Sequence, residues 1–192
     1  AIVAPAIASQ FTYAKPGQII TAIKKLGFYD VVEAALGADL VAYSEAAELA
    51  EKGFLTSSCC PAFVKYIQNQ FPSLVENISH NFSPMAATAQ DIKENKANSE
   101  SVKTIFIGPC TAKKSEFQLP EVSKYVDCVL TFEELQALFD SRDIDPTTLE
   151  ETDLNNASYY GRIFAHCGGL SEAAAEALKE QGIEFDVKPV SC

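Results

Sequence analysis

The sequence predicts an α/β fold of two lobes, each a small, mostly parallel sheet flanked by helices, with a ligand cleft between them. Three observations predict it. Short apolar runs of strand character (IVAPAI, KTIFIG, DCVL and FDVKPV) alternate with segments whose apolar residues recur at helical spacing, the pattern of parallel strands joined by helices. Two of the runs break at Pro5 and at Gly108-Pro109 and empty into loops, and open α/β sheets bind ligands where strands end in this way. Finally, 192 residues that are 47% hydrophobic and 21% charged hold enough apolar material for one large core or two small lobes.

Each element follows from local chemistry. IVAPAI reads as a buried strand running into a turn at Pro5, and residues 18–26 carry Ile19, Ile20, Ile23 and Leu26 on one helical face, stopped by Gly27. A helix over residues 44–52 ends at Gly53. Another starts at Pro61, a good first helical residue, with Val64, Ile67 and Phe71 on one face. A helix from Pro84 towards Lys96 leads through the polar stretch NKANSES to the strand KTIFIG, and the lobe boundary is placed at Ser101: 1–100 form the first lobe and 101–192 the second. DCVL is followed by helical FEELQALF. Residues 141–157, acidic and rich in Asn and Thr, read as a linker or surface excursion. A Gly-Gly step, the helix SEAAAEALKEQ and the strand-like FDVKPV complete the chain. No internal repeat is present in the sequence.

Composition narrows the function. A formal charge of -11 repels nucleic acid and anionic membrane and leaves basic or small neutral partners open. No apolar run has the length of a membrane helix, and the first residues, AIVAPAIASQ, lack both an initiating Met and a basic segment, so a soluble chain that starts mid-protein is expected. Six cysteines in a chain of this size do not resemble the disulfide frameworks of small secreted domains, so a reducing, cytoplasmic setting is expected. Free thiols then serve either as small core residues or as metal ligands.

Two loops concentrate the chemistry. In TSSCCPAF, residues 56–63, Cys59 and Cys60 precede a helix, whose positive end lowers thiol pKa and suits metal binding or proton transfer. Burial as small hydrophobes is the equally weighted alternative. In FIGPCTAKKSE, residues 106–116, Cys110 follows a strand and is followed by Lys113 and Lys114. The loop lacks the glycines of a phosphate cradle, since Ala112 stands where a Gly would precede the Lys. A thiolate and a cation three residues apart can instead meet one small object; a buried Cys beside exposed lysines is the plainer reading.

Together these loops resemble the first two signature motifs of the iron-only hydrogenases, written TSCCPGW and MPCTAKK. The likeness extends in order along the chain through AIVAPAI, SEAAEL, SHNFSP, VLTFEEL and HCGGLSEAA. The resemblance implies an active cluster made of a 4Fe-4S cube joined through a cysteine sulfur to a two-iron subcluster carrying carbon monoxide and cyanide, with four protein cysteines in all. It implies Cys60 and Cys110 as metal ligands, both soft thiolates suited to iron. Cys59 matches the thiol that exchanges protons with the two-iron unit. Lys113 matches the lysine facing a cyanide, and Ala4, Pro5 and Ser83 match positions lining the cofactor. The family's proton path maps onto Glu45, Ser79 and Glu48; the two glutamates are three apart on a predicted helix and share a face, while solvated surface carboxylates are the alternative.

The resemblance further implies reversible oxidation of H2 to protons and electrons, with ferredoxin or ferredoxin-like iron-sulfur domains as electron partners. A hydrogen-sensing module or an iron-sulfur assembly relative on the same scaffold are the alternatives. Departures at Ser57, Ala62, Phe63, Met85 and Gly108 resemble the divergent branch to which sensory roles are ascribed. The third motif, of the form ACPGGC, supplies the last two cube ligands and is expected beyond Cys192. On that ground this chain alone is expected to carry no cluster and to be inactive. Cys128 reads as core and Cys167 as a residue near the cluster pocket, while His80 and His166 read as hydrogen-bonded structural residues rather than ligands.

Overall fold

The computed structural model describes residues 1–95 and 101–188. The expected placement of Cys192, and of the end of FDVKPV, lies outside the described residues. Strand β1 (Ile2–Val3) turns at Pro5 into the short helix α1 (Ile7–Gln10), followed by α2 (Pro16–Lys25). Strand β2 (Val32–Glu33) runs directly into α3 (Ala34–Lys52), which ends where Gly53 takes a φ of 74°, a left-handed geometry that glycine adopts without strain. Helix α4 (Pro61–Gln70) and a 3₁₀ segment, Pro72–Asn77, precede α5 (Pro84–Asn95). Then come β3 (Ile105–Gly108), α6 (Lys113–Glu116), α7 (Pro120–Ser123) and β4 (Cys128–Thr131). Helices α8 (Phe132–Ser141), α9 (Tyr159–Ile163) and α10 (Gly169–Glu180) follow.

The α/β class and the parallel pairing hold. The four strands of the described residues join in one sheet of order β2-β1-β3-β4, each pair parallel, with Ile2 beside both Val32 and Phe106 and Ile105 beside Cys128. The expectation that each lobe has its own sheet is corrected: among the described residues the strands on either side of Ser101 share this one. Two-residue strands such as β1 and β2 make few ladder bonds, so β1 completes its pairing by sitting between β2 and the longer β3.

Ile2, Val3, Ile19, Ile23, Ile107, Phe132 and Phe139 form the main core on the sheet. Helix α3 packs against α5, α9 and α10, with Ala42 and Ala46 facing Ala173, Ala177 and Leu178 in a second, smaller cluster. Three local expectations change. Helix α3 begins ten residues before the predicted start, on Ala-rich sequence with no side-chain cap to mark it. On α4 only Ile67 is buried, and Phe71 is exposed, because α4 meets little beyond the following 3₁₀ segment. Phe185–Lys188 form no strand. Residues 141–157 do lie on the surface, but are tied to α2: the Thr21 hydroxyl donates to the Glu150 carbonyl at 2.7 Å, the Gln18 amide to the Leu149 carbonyl at 3.0 Å, and Lys15 pairs with Glu151 at 2.6 Å.

Candidate functional site

The carboxyl ends of β1 and β3 open on one cavity of about 370 Å³. It is walled by Ala4 and Pro5, by Ala34, Ala35 and Ala38 of α3, by Met85 and Phe106, and by Phe164 and Ala165; Cys59, Cys60, Cys110 and Lys113 all face it. The two motif loops, fifty residues apart in sequence, therefore meet at the strand ends. Small residues on the sheet-facing side of α3 leave room for the space itself. Gly108 is close-packed, since a Cβ there would lie 2.6 Å from the Phe106 ring and 3.2 Å from Ala4 Cβ.

Cys60 is the N-cap of α4, and its sulfur accepts the Phe63 backbone N–H at 3.4 Å, so the helix end directs a donor at this sulfur. For Cys59 the expectation of a lowered thiol pKa is corrected. Burial pushes it up, and the Ser57 hydrogen bond and the Lys113 charge that oppose this do not outweigh it. Cys59 is thus held as a thiol, the form that can donate a proton. Lys113 is buried and donates to the Cys59 carbonyl at 3.0 Å and to Glu116 Oε2 at 2.6 Å, so its charge is compensated inside the protein.

A line of hydrogen bonds leaves Cys59. The Ser57 hydroxyl contacts the Cys59 backbone N–H at 3.2 Å and donates to Glu45 Oε1 at 3.0 Å. Glu45, only 3% exposed, also takes hydrogen bonds from the Ser79 hydroxyl and the Ser58 amide; burial nevertheless raises its carboxyl above the usual range. Ser57 and Ser79 both reach Glu45 because Thr56 and Ile78 form a parallel bridge: the Thr56 N–H donates to the Asn77 carbonyl and the Ser79 N–H to the Thr56 carbonyl, both at 2.8 Å. Asn81 Nδ2 then reaches Ser79 Oγ and Glu48 Oε2, each at 3.0 Å. Glu48 pairs with Lys52 at 2.8 Å and with His80 Nδ1 at 2.7 Å. Burial pushes its carboxyl up, but these partners prevail and hold it below the usual range. His80 is 79% exposed at the outer end.

Ser83 does not join the cysteine cavity. Its buried hydroxyl accepts the Ala86 N–H at 3.4 Å, capping α5, and it lines an adjoining cavity beside α4 and α6. Cys128 is half-buried at the start of β4, Cys167 is exposed and does not line the cysteine cavity, and His166 lines a separate cavity beside Pro5 and Arg162. Ser57, Asn81 and Glu116 escape sequence reasoning as site residues. Ser57 stands out only as a departure from a motif; Asn81 and Glu116 carry no periodic signal.

Residues 1–190 match the family described as iron only hydrogenase large subunit, C-terminal domain. The chain belongs to this family. It is 31% identical over 183 residues to iron hydrogenase 1 of Clostridium pasteurianum, covering 85% of this chain and 32% of that protein. It is 34% identical over 134 residues to the cytosolic Fe-S cluster assembly factor NAR1 of Meyerozyma guilliermondii, covering 62% of this chain and 25% of the other. Its fold matches an apo [FeFe]-hydrogenase from Chlamydomonas reinhardtii with a TM-score of 0.76 and 26% identity, over 98% of this chain and 55% of that one. The chain therefore spans about a third of the first of these proteins and about half of the hydrogenase structure.

An iron-sulfur cofactor is what this hydrogenase-family membership implies. The donor chemistry of the cavity fits one: two soft sulfurs line it from different loops, a buried cation stands beside them, and the remaining walls are largely apolar. The fit covers half of a four-cysteine ligand set, since among the described residues no group of three or more His, Cys, Asp or Glu side chains converges as a metal site. No described helix is long and apolar enough to cross a membrane.

Proposed function

We propose that this chain forms part of the site at which an iron-only hydrogenase interconverts H2 with protons and electrons. The single observation that carries the reading is a hydrogen-bonded line from Cys59 through Ser57, Glu45, Ser79 and Asn81 to the outer carboxylate Glu48, starting in the cavity that Cys60 and Cys110 face. A bare metal-binding scaffold has no use for a buried acid joined to a buried thiol, whereas proton reduction needs protons delivered through a dry wall.

In this reading Cys60 and Cys110 hold the 4Fe-4S part of the cofactor, and the two-iron part with its carbon monoxide and cyanide ligands supplies the hydrogen chemistry. Lys113 provides a fixed cation for an anionic ligand, and Ala4 and Pro5 form part of the apolar wall. Burial keeps Cys59 and Glu45 protonated at higher pH than ordinary, so each can hold a proton beside the cavity and pass it on. Glu48, held ionised, exchanges with solvent through His80 and Lys52. Two cysteine donors are half of what a cube requires, so this chain by itself is expected to retain no 4Fe-4S cluster, which iron and acid-labile sulfide assays measure directly. Ferredoxin-type iron-sulfur carriers are the expected electron partners. Neither nucleic acid nor membrane is expected as a partner, given a charge of -11. The cytoplasm is the proposed compartment, on the ground that six cysteines in a chain of this size do not resemble the disulfide frameworks of small secreted domains.

The similarity to an iron-sulfur assembly factor supports a second reading, a scaffold without hydrogen chemistry. Anaerobic infrared spectroscopy of the full-length parent after maturation separates the two. Carbon monoxide and cyanide stretches, with turnover lost in Cys59→Ala, are expected. Absence of those bands, or full turnover in Cys59→Ala, refutes the hydrogenase reading.

A further inference from the structure

We propose that Asn81 is a gate in the proton line: its side-chain amide closes the passage between Ser79 and Glu48, and it must swing away before a proton crosses. The inference rests on the proton-relay reading above and deepens it. Every member of a relay must be able both to accept and to donate a proton. A hydroxyl and a carboxyl meet that requirement, but an amide NH2 only donates.

Counting hydrogen bonds shows the closure. Ser79 Oγ has one proton and two lone pairs. Its proton goes to Glu45, and its lone pairs take the Asn81 backbone N–H at 3.2 Å and Asn81 Nδ2 at 3.0 Å. No acceptor position is left on Ser79 for a proton arriving from outside. The second Nδ2 hydrogen goes to Glu48 Oε2 at 3.0 Å. The amide cannot simply be turned over to offer its oxygen, because Glu48 is an ionised acceptor held by Lys52 and His80, and a carbonyl oxygen facing it would be repelled. The inner half, Glu45 and Ser79, is thereby separated from the outer half, Glu48 and His80, by a group that donates in both directions.

The same loop is built so that only the side chain can move. Asn81 is pinned along its backbone on both sides, its N–H by Ser79 Oγ and its carbonyl by the Ser58 hydroxyl at 2.5 Å. Beside it lies a cavity of about 520 Å³, lined by Ser58, His80, Asn81 and Phe82 among others, into which the amide can rotate. Once it has moved, Glu48 in its protonated form can give a proton to Ser79 Oγ as Ser79 gives its own to Glu45. Glu48 then ends as carboxylate, Glu45 as carboxylic acid, and Ser79 unchanged. Asn81 is therefore a positioning residue that sets how often the line is continuous.

Hydrogen–deuterium exchange of the Glu45 carboxyl, followed by its infrared C=O band after mixing into D2O, tests the gate in this chain without any metal. The band is assigned by its loss in Glu45→Gln. The pH is set between the two glutamates, where Glu45 carries its proton and Glu48 does not. Asn81→Asp keeps the shape of the side chain but can accept and donate, and Asn81→Ala opens the passage; both are expected to speed exchange by at least about tenfold. Adding Ser79→Ala to Asn81→Asp is expected to return it to the slow rate. Unaltered urea midpoints identify variants that remain folded, and Asn81→Asp provides the test should Asn81→Ala unfold. Equal rates in wild type and Asn81→Asp, or fast exchange that persists without Ser79, overturn the gate. If exchange behaves as expected while the matured parent shows no carbon monoxide or cyanide bands, the gate stands and the hydrogenase reading falls.

Discussion

Replacing Gly37 by Ala should destabilise the protein, although the same change in an open helix stabilises it. Gly37 sits in the second turn of α3, where the helix crosses the start of α5. A Cβ built there would lie 2.8 Å from the Thr88 backbone nitrogen and closer still to the Pro84 carbonyl and the Thr88 hydroxyl. The Gly37 N–H donates to Thr88 Oγ1 at 3.0 Å, and that hydroxyl in turn donates to the Pro84 carbonyl at 2.8 Å. An added methyl has ordinary contact near 3.4 Å or beyond, so α5 must withdraw by on the order of 1 Å. Helix propensity favours Ala over Gly by about 1 kcal/mol. Overpacking opposes this by about 1–3 kcal/mol, and losing the buried Gly37–Thr88 hydrogen bond by about 1 kcal/mol more. The net expectation is about 1–3 kcal/mol of lost stability. Because α3 carries Glu45 and Glu48 while α5 follows directly on the Ser79–Ser83 turn, the shift should also loosen the Ser79 bond to Glu45. Urea unfolding followed by circular dichroism measures the first effect. A higher midpoint in Gly37→Ala would show that α3 and α5 are not in contact as described.

Glu45→Gln should flatten the pH dependence of stability. A raised carboxyl keeps its full stabilising contribution below the ordinary glutamate value of 4.5 and loses it as pH climbs through the folded-state value, so wild type should weaken over that rise while the variant does not. Parallel curves for the two proteins would exclude a buried acid at this position. Asp127 has the opposite sign. Burial raises its carboxyl, but the Thr104 N–H and the Lys93 and Lys103 ammonium groups, each at 2.9 Å, hold it below 3.8, so its contribution is present at neutral pH and lost as pH falls through the folded-state value. Asp127→Asn should cost about 1–2 kcal/mol at neutral pH and shrink the acid limb, as read by denaturation at stepped pH. Arg162 forks onto Glu33 through Nε at 2.7 Å and Nη2 at 2.8 Å, tying α9 to the β2–α3 junction. Arg162→Lys keeps the charge but loses the fork, and with the arginine more than a third exposed the expected loss is about 1 kcal/mol by thermal melting; no loss would make the pair a surface contact.

What could be read in the sequence was whatever is local. Pro61 after Cys60 marks the start of α4, Gly53 marks the end of α3, and the apolar run before Pro109-Cys110 marks β3, so the two cysteine loops are found at the right strand and helix ends. What was not legible depends on partners far away in the chain. Strands β1 and β2 are too short to show alternation, and only the pairing of β1 with Phe106 and Ile107 on β3 reveals that one sheet serves both halves. The start of α3 carries no side-chain cap and follows β2 without an intervening turn, so no local break marks where the helix begins. Ser57 and Ser79 both reach Glu45 only because Thr56 and Ile78 pair, a bridge across more than twenty residues that no spacing rule announces.

The same long-range pairing bears on how the charges of the site are balanced. Lys113 and Glu45 are both buried beside Cys59, yet they are treated differently. The ammonium has an ionic partner, Glu116, within its own short helix, and a carbonyl from the other loop. The glutamate is held by the Ser57 and Ser79 hydroxyls and the Ser58 amide, and among the described residues these do not keep it ionised against burial. Around Cys59 there is therefore a fixed positive group on the β3 side, Lys113, which lines the cavity, and behind Ser57 on α3 a buried group that can be neutral, Glu45. Exchanging these environments would be costly: an unpaired buried ammonium has no neutral form near neutral pH without a large shift, whereas a buried carboxyl needs only to take up a proton. In the proposed function that asymmetry leaves Lys113 as a standing cation beside the cavity and Glu45, behind Cys59, as the group that takes up and releases protons. Its measurable consequence is that Glu116→Gln should disturb the Lys113 wall and leave the pH dependence attributed to Glu45 in place. A Glu116→Gln variant whose stability no longer declines with rising pH as wild type does would show that the two sides are one coupled network instead.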